Sequence, residues 1–326
     1  MNKEFRIIFM GTPVFAVQSL LTLIREGYSI AAVVTAPDKP AGRGRKILAS
    51  PVKQCALENG LNVLQPEKLK DPGFIRTLES YKPGLQVVVG FRMLPEEVWQ
   101  LPPSGTINLH ASLLPQYRGA APINWAIING EKYTGITTFF IRHEIDTGNI
   151  ILQEKMKIGP DETAGELHDR LMNSGAKLLS KTVGMIARGK ATSTDQQSFV
   201  DKGIALHNAP RIFAGDCRIN WNQKAEHVHN FIRGLSPSPG AWSEWQKPDG
   251  SILYLKIFSA RKEIVLPAHS PGTIITDDKT RMEIAVRDGY IRIVSLQQAG
   301  RKRMDAEEFL KGIKGLADCV LLMPNG

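Results

Sequence analysis

The chain alternates short apolar runs with stretches of helical spacing. Residues 5–10 form the first run and read as a buried strand. Gly11-Thr12-Pro13 follows, and then Val14, Phe15, Val17, Leu20, Leu21, Leu23 and Ile24 recur at the spacing of one helix face. Thr12 is placed to cap that helix and Pro13 suits its first position. The pattern repeats: a strand at 30–35, a helix at 51–59 closed by Gly60, a short strand at 63–65 and a helix at 74–81. Residues 85–89 are almost continuously apolar, as at the centre of a parallel sheet, and open into Gly90-Phe91-Arg92-Met93-Leu94-Pro95. Further strands are predicted at 106–110, 136–141 and 150–156, with a helix at 120–128 and a long amphipathic one over 163–188. This β–α alternation predicts an α/β class with a Rossmann-like, mostly parallel sheet.

Beyond residue 206 the pattern changes. Strands are predicted at 242–246, 252–258, 272–276, 281–286 and 290–296, with turns at Pro248-Asp249-Gly250 and Asp288-Gly289. A helix at 225–235 precedes them, and Asp305 to Glu308 has capping-box spacing before a last helix. Short strands plus a helix in this length fit a small OB-like β-barrel, a common nucleic-acid platform. The expected organisation is a catalytic domain at 1–189, a polar linker at 190–205 and an OB-like C-terminal domain at 206–326.

The 326 residues suit two domains, with 42% hydrophobic and 22% charged residues. No apolar run approaches a membrane span, and no cleavage site follows the N-terminal strand. Cys55, Cys217 and Cys319 are far apart, which argues for a reducing cytoplasm and against a disulfide frame or a zinc site. The net charge of +9 divides into +5 for residues 1–206 and +4 for 207–326, so a long anionic partner touching both halves fits better than one basic tail.

Three stretches carry candidate chemistry. Asn108 and His110 are two apart on a predicted strand and share a face, putting an oxyanion donor beside a proton carrier. On spacing alone, a capped strand end with a satisfied histidine is the more economical reading. The loop Arg142-His143-Glu144-Ile145-Asp146-Thr147-Gly148-Asn149 is long for a hairpin and acidic, so Asp146 is either a turn former or a carboxylate that orients a histidine. The loop from Pro37 to Lys46 holds two Gly and two Pro, and its stretch from Arg43 to Lys46 carries the cations Arg43, Arg45 and Lys46. It reads as mobile and suited to phosphate contact, or as a solvated linker. The Gly-x-Gly-x-x-Gly and Gly-Lys-Ser/Thr signatures are absent from these turns.

Taken together, Phe9 to Pro13, Gly42-Arg43-Gly44, Pro51 to Gln54, Asn108-Leu109-His110-Ala111-Ser112-Leu113-Leu114-Pro115, Arg118-Gly119-Ala120-Ala121-Pro122, Asp146-Thr147-Gly148, Arg233 to Pro237 and Arg303-Met304-Asp305 resemble the methionyl-tRNA formyltransferase family over almost the whole chain. The Asn-x-His element alone marks the wider folate-dependent formyltransferases. One departure is that residues 89–95 are one residue shorter than the family pattern. The resemblance implies the formyltransferase fold and transfer of formyl from 10-formyltetrahydrofolate to the α-amino group of methionyl initiator tRNA, without a metal. It implies Asn108, His110 and Asp146 as catalytic residues and Ser112, Leu113, Leu114 and Pro115 at the tetrahydrofolate site. Arg43, Arg45 and Lys46 would reach the tRNA acceptor stem, Arg43 foremost, and the protein is expected as a cytoplasmic monomer. The alternatives are a formyltransferase acting on a small amine, which has no need of the C-terminal barrel, and a non-catalytic RNA-binding protein.

Overall fold

The computed structural model describes residues 5–41, 46–200 and 205–323. β1 (Arg6–Gly11), α1 (Val14–Arg25) and β2 (Ser29–Val34) open the chain as a β–α–β unit. The hairpin of β3 (Lys39–Ala41) and β4 (Lys46–Leu48) follows, then α2 (Pro51–Glu58), β5 (Val63–Leu64), α3 (Pro72–Ser80), β6 (Leu85–Val89), α4 (Glu96–Trp99) and β7 (Thr106–His110). β8 (Arg118–Gly119) and α5 (Pro122–Ile128) lead to the long strands β9 (Tyr133–Phe140) and β10 (Ile150–Lys157). The 24-residue helix α6 (Ala164–Ala187) and the short α7 (Gln197–Val200) complete this part.

The first sheet has the order β10-β9-β7-β6-β1-β2-β5. β5, β2, β1, β6 and β7 run parallel, and β9 adds antiparallel to β7. The sheet is therefore mostly parallel and Rossmann-like. β1 and β6 are adjacent although two strands of this sheet, β2 and β5, separate them in the chain, so the strand order reverses there. That crevice, beyond the carboxyl ends of the strands, is where such sheets hold ligands. Gly90 ends β6 with φ +57, and a Cβ there would lie 2.7 Å from the Pro13 ring, so the turn after β6 packs directly on the turn after β1.

Helix starts follow local chemistry, with one correction. The N-cap of α1 is Pro13 in an extended conformation, with no side-chain cap bond; Thr12 lies one residue too early. Ser50 caps α2 by accepting from Lys53 N at 3.1 Å, and Asp71 caps α3 by accepting from Phe74 N at 2.9 Å. The basic stretch, read as an irregular loop, instead carries a short antiparallel ladder pairing Lys39 with Leu48 and Ala41 with Lys46. The ladder needs only main-chain groups, so the polar, Gly-rich composition hid it.

The chain divides into two compact units. The first comprises Met1–Gly119, Thr134–Met156 and His168–Asn208; the second comprises Ala120–Tyr133, Lys157–Leu167 and Ala209–Gly326. After β11 (Asn208–Ala209), the second unit contains α8 (Ala225–Gly234), β12 (Ala241–Gln246), β13 (Ile252–Ile264), β14 (Ile274–Thr276), β15 (Met282–Val286), β16 (Gly289–Gln298), β17 (Met304–Asp305), α9 (Ala306–Lys311) and β18 (Val320–Leu322). Its antiparallel sheet has the order β14-β15-β16-β13-β12-β18, with β17 on β16. Register shifts between Ile257 and Ala260 mark a bulge in the 13-residue β13, which pairs with β12 on one side and β16 on the other. The result is an OB-like half-barrel. Its core centres on Trp221 and Trp245, both fully buried, whose indole N–H groups donate to one hydroxyl, Ser243 Oγ, at 3.0 and 3.1 Å. The capping-box spacing at Asp305 forms no side-chain cap. A reciprocal box forms instead at the start of α6, where Thr163 N donates to Glu166 Oε2 at 2.8 Å and Glu166 N to Thr163 Oγ1 at 3.3 Å. Among the described residues no helix is long and apolar enough to cross a membrane.

Candidate active site

β7 delivers the central pair. Its Ile107 and Leu109 are buried in the sheet, and the strand's two-residue period puts Asn108 and His110 on the other face. Asn108 stands opposite Val88 of β6 and Phe139 of β9, so both neighbouring strands fix its register. Asn108 is half-buried, and its amide has no side-chain partner among the described residues.

His110 is 6% exposed. Its Nε2 lies 2.8 Å from the Tyr117 carbonyl oxygen. A carbonyl can only accept, so Nε2 carries the hydrogen, and neutral imidazole presents an unprotonated Nδ1 on its other side. That Nδ1 faces Asp146 Oδ2 at 3.7 Å. The gap is too long for a direct hydrogen bond and short enough for an ion pair once the ring is protonated. The tautomer is thus held by a main-chain carbonyl, whereas the sequence pointed to the carboxylate for this task.

Asp146 is itself strongly constrained. It adopts φ +54, unusual for a non-glycine residue. Its Oδ2 accepts the Gly119 N–H at 3.0 Å. Its own carbonyl and that of Gly148 both accept from Gln196 Nε2 at 2.8 Å. Gln196 Oε1 in turn accepts from Arg118 Nε at 3.2 Å and Nη2 at 2.7 Å. The loop 143–149 therefore brings the Asp146 carboxylate to 3.7 Å from His110 Nδ1. Its anchor, Gln196, lies in the stretch read as a linker.

The turn after β7 is supported from the sheet. Thr137, fully buried on β9, donates to the Ser112 carbonyl at 2.7 Å and accepts from Leu114 N at 3.2 Å. Gln153 Nε2 donates to the Leu114 carbonyl at 2.8 Å and to Thr137 Oγ1 at 2.9 Å. Ser112, Leu114 and Pro115 are buried. The Ser112 hydroxyl is used internally on the Gln116 carbonyl at 2.6 Å, and Leu114 packs with Phe139 and Ile150. Leu113 packs over Gly135. These four residues form the turn that follows His110, and the signal missed was the buried hydroxyl of Thr137 on β9.

The loop after β6 lies at the same end of the sheet, since β6 and β7 are parallel and adjacent. Leu94 enters the core there, Phe91 is half-buried against it, and Met93 is 69% exposed. Arg43 and Arg45 lie outside the described residues, and Lys46 is placed in β4 by its main chain alone. The hairpin's root is fixed by Asp38, which ion-pairs with Lys53 at 2.5 Å and accepts from Gln65 at 2.8 Å. The Lys53 and Gln65 bonds hold the Asp38 carboxyl below its ordinary range. Among the described residues no cluster of three His, Cys, Asp or Glu side chains is placed to hold a metal ion.

Residues 5–183 match the family model described as formyl transferase, and residues 211–314 match the formyl transferase C-terminal domain. Over 311 residues the chain is 52% identical to the methionyl-tRNA formyltransferase of Bacteroides fragilis, covering 95% of this chain and 96% of the relative. It is 50% identical over 313 residues to that of Porphyromonas gingivalis, with 95% and 96% covered. The solved structure of WlaRD, a sugar 3N-formyl transferase, superposes with a TM-score of 0.64 at 20% identity, over 92% of this chain and 99% of that one, and shows the shared fold. The chain belongs to the methionyl-tRNA formyltransferase family.

Proposed function

We propose that the chain transfers the formyl group of 10-formyltetrahydrofolate to the α-amino group of methionyl initiator tRNA, in the cytoplasm, for translation initiation. The observation that carries this is the strand-end pair of Asn108 and His110, with the Asp146 carboxylate 3.7 Å from the ring Nδ1. The neutral amine attacks the formyl carbon, and the Asn108 amide donates to the oxygen as it becomes negative. His110 Nδ1 takes the proton lost by the attacking nitrogen and returns it to the folate nitrogen that leaves. The Asp146 carboxylate balances the imidazolium formed between those steps. Because an α-amino group titrates near ~8, a weak base suffices near neutral pH. The exposed Met93 beside half-buried Phe91 fits the flat heterocycle of the donor, and Ser112 to Pro115 support that wall. Arg43, Arg45 and Lys46 would meet the acceptor stem, Arg43 foremost, with the half-barrel holding the stem's inner side.

The test is formyl transfer to charged initiator tRNA by the wild-type chain and by His110→Ala. Turnover by the wild type and a loss of about 10²-fold or more in the variant, with folate binding little changed, is the expected result. Absence of product at high enzyme concentration, or faster formylation of free small amines than of charged tRNA, would overturn the proposal.

A further inference from the structure

We propose that Gln196 is a positioning residue for catalysis, acting through Asp146; this rests on the catalytic reading of Asp146 above. Gln196 is 1% exposed, and its amide is used at every site. Both N–H groups are spent on the carbonyls of Asp146 and Gly148, and the oxygen accepts twice from the Arg118 guanidinium. The segment that brings it there is stitched to β10 by a reciprocal pair of main-chain bonds between Thr194 and Ile150, both 2.8 Å.

The contacts close a ring. Asp146 O is held by Gln196, Gln196 by Arg118, Arg118 is followed by Gly119, and the Gly119 N–H holds Asp146 Oδ2. One amide thus ties together the two segments that meet at the carboxylate. A non-glycine residue at φ +54 persists only where its surroundings over-determine it, and this ring supplies that constraint. The geometry is specific to glutamine. Glutamate keeps the acceptor for Arg118 but turns the two donors into a carboxylate oxygen facing two carbonyls. Alanine removes both ends.

The experiment compares wild type, Gln196→Glu, Gln196→Ala, Asp146→Ala and the double variants in formyl transfer to charged initiator tRNA, with thermal unfolding of each. Both Gln196 variants should lower kcat about 10- to 100-fold while the KM values for tRNA and folate stay nearly constant. In the Asp146→Ala background the Gln196 changes should add no further loss, since the two residues act through one carboxylate.

An inactive Asp146→Ala together with full activity in both Gln196 variants would overturn the inference and leave the catalytic reading standing. So would a full, additive loss in the double variants, or a loss that tracks thermal unfolding. Wild-type activity in Asp146→Ala would overturn the catalytic reading and the inference with it.

Discussion

Replacing Gly148 by alanine perturbs the site from a residue with no side chain to contribute. A Cβ there would lie 1.6 Å from the Phe140 carbonyl oxygen and 2.8 Å from its carbon. The Phe140 main chain cannot give way easily, because its N–H donates to the Asn149 carbonyl at 3.0 Å across the same hairpin. Restoring an ordinary carbon–oxygen contact requires the loop to shift by about 1.5 Å or more. Asp146 is two residues away, and the Gly148 carbonyl is one of the two acceptors on Gln196, so the shift breaks that clamp as well. Displacement of a catalytic group by about 1 Å costs on the order of 10²-fold in rate. Gly148→Ala should therefore lose about 10²-fold in kcat for formyl transfer, measured in single-turnover reactions with saturating charged tRNA, while tRNA affinity is retained. Gly215→Ala is the control, since a Cβ there meets nothing within 4 Å. If Gly148→Ala kept kcat within about threefold of wild type, the carboxylate's placement would not control the rate, and the reasoning would fail.

Ser243→Ala should destabilise the second unit by about 2–4 kcal/mol in denaturant unfolding, because it strands two buried indole N–H groups; a loss below about 0.5 kcal/mol would show that the indoles find other acceptors. Burial, reinforced by Lys262 and Arg233, holds His229 below the ordinary imidazole value of 6.5, so the unfolded chain takes up the proton first. Stability should therefore fall as pH drops below about 6.5, and His229→Asn should flatten that slope in pH-dependent thermal unfolding. Formyl transfer at subsaturating tRNA should slow as salt rises, since the chain carries +9 net charge; a salt-independent KM for tRNA would argue against phosphate contacts.

What the sequence disclosed and what it hid differ for a physical reason. The shared face of Asn108 and His110 was legible because a strand's period of two assigns faces without any tertiary information. Asp146 was legible as a candidate because a long acidic hairpin loop is unusual. Gln196 gave no signal: it stands 50 residues from Asp146, in a polar stretch with no periodicity. The group that fixes the His110 tautomer was equally hidden, because it is the carbonyl of Tyr117 and every residue has one. The mostly parallel character of the first unit's sheet followed from the β–α alternation, whereas the short ladder at Lys39 to Leu48 did not, since main-chain pairing leaves no mark on composition.

The same asymmetry bears on how the site tolerates change. A residue that reacts must keep its chemical type, but a residue that positions must keep its reach. Gln196 fills its pocket with two donors and a doubly used acceptor, and no other side chain of that length offers both. Thr137 likewise joins the Ser112 carbonyl to the Leu114 N–H through one hydroxyl, which a valine of the same shape lacks. The turn after β7 and the main chain at Asp146 are therefore held by buried polar side chains. On the proposed roles of Asp146 and of Ser112 to Pro115, substitutions there should alter kcat before they alter binding.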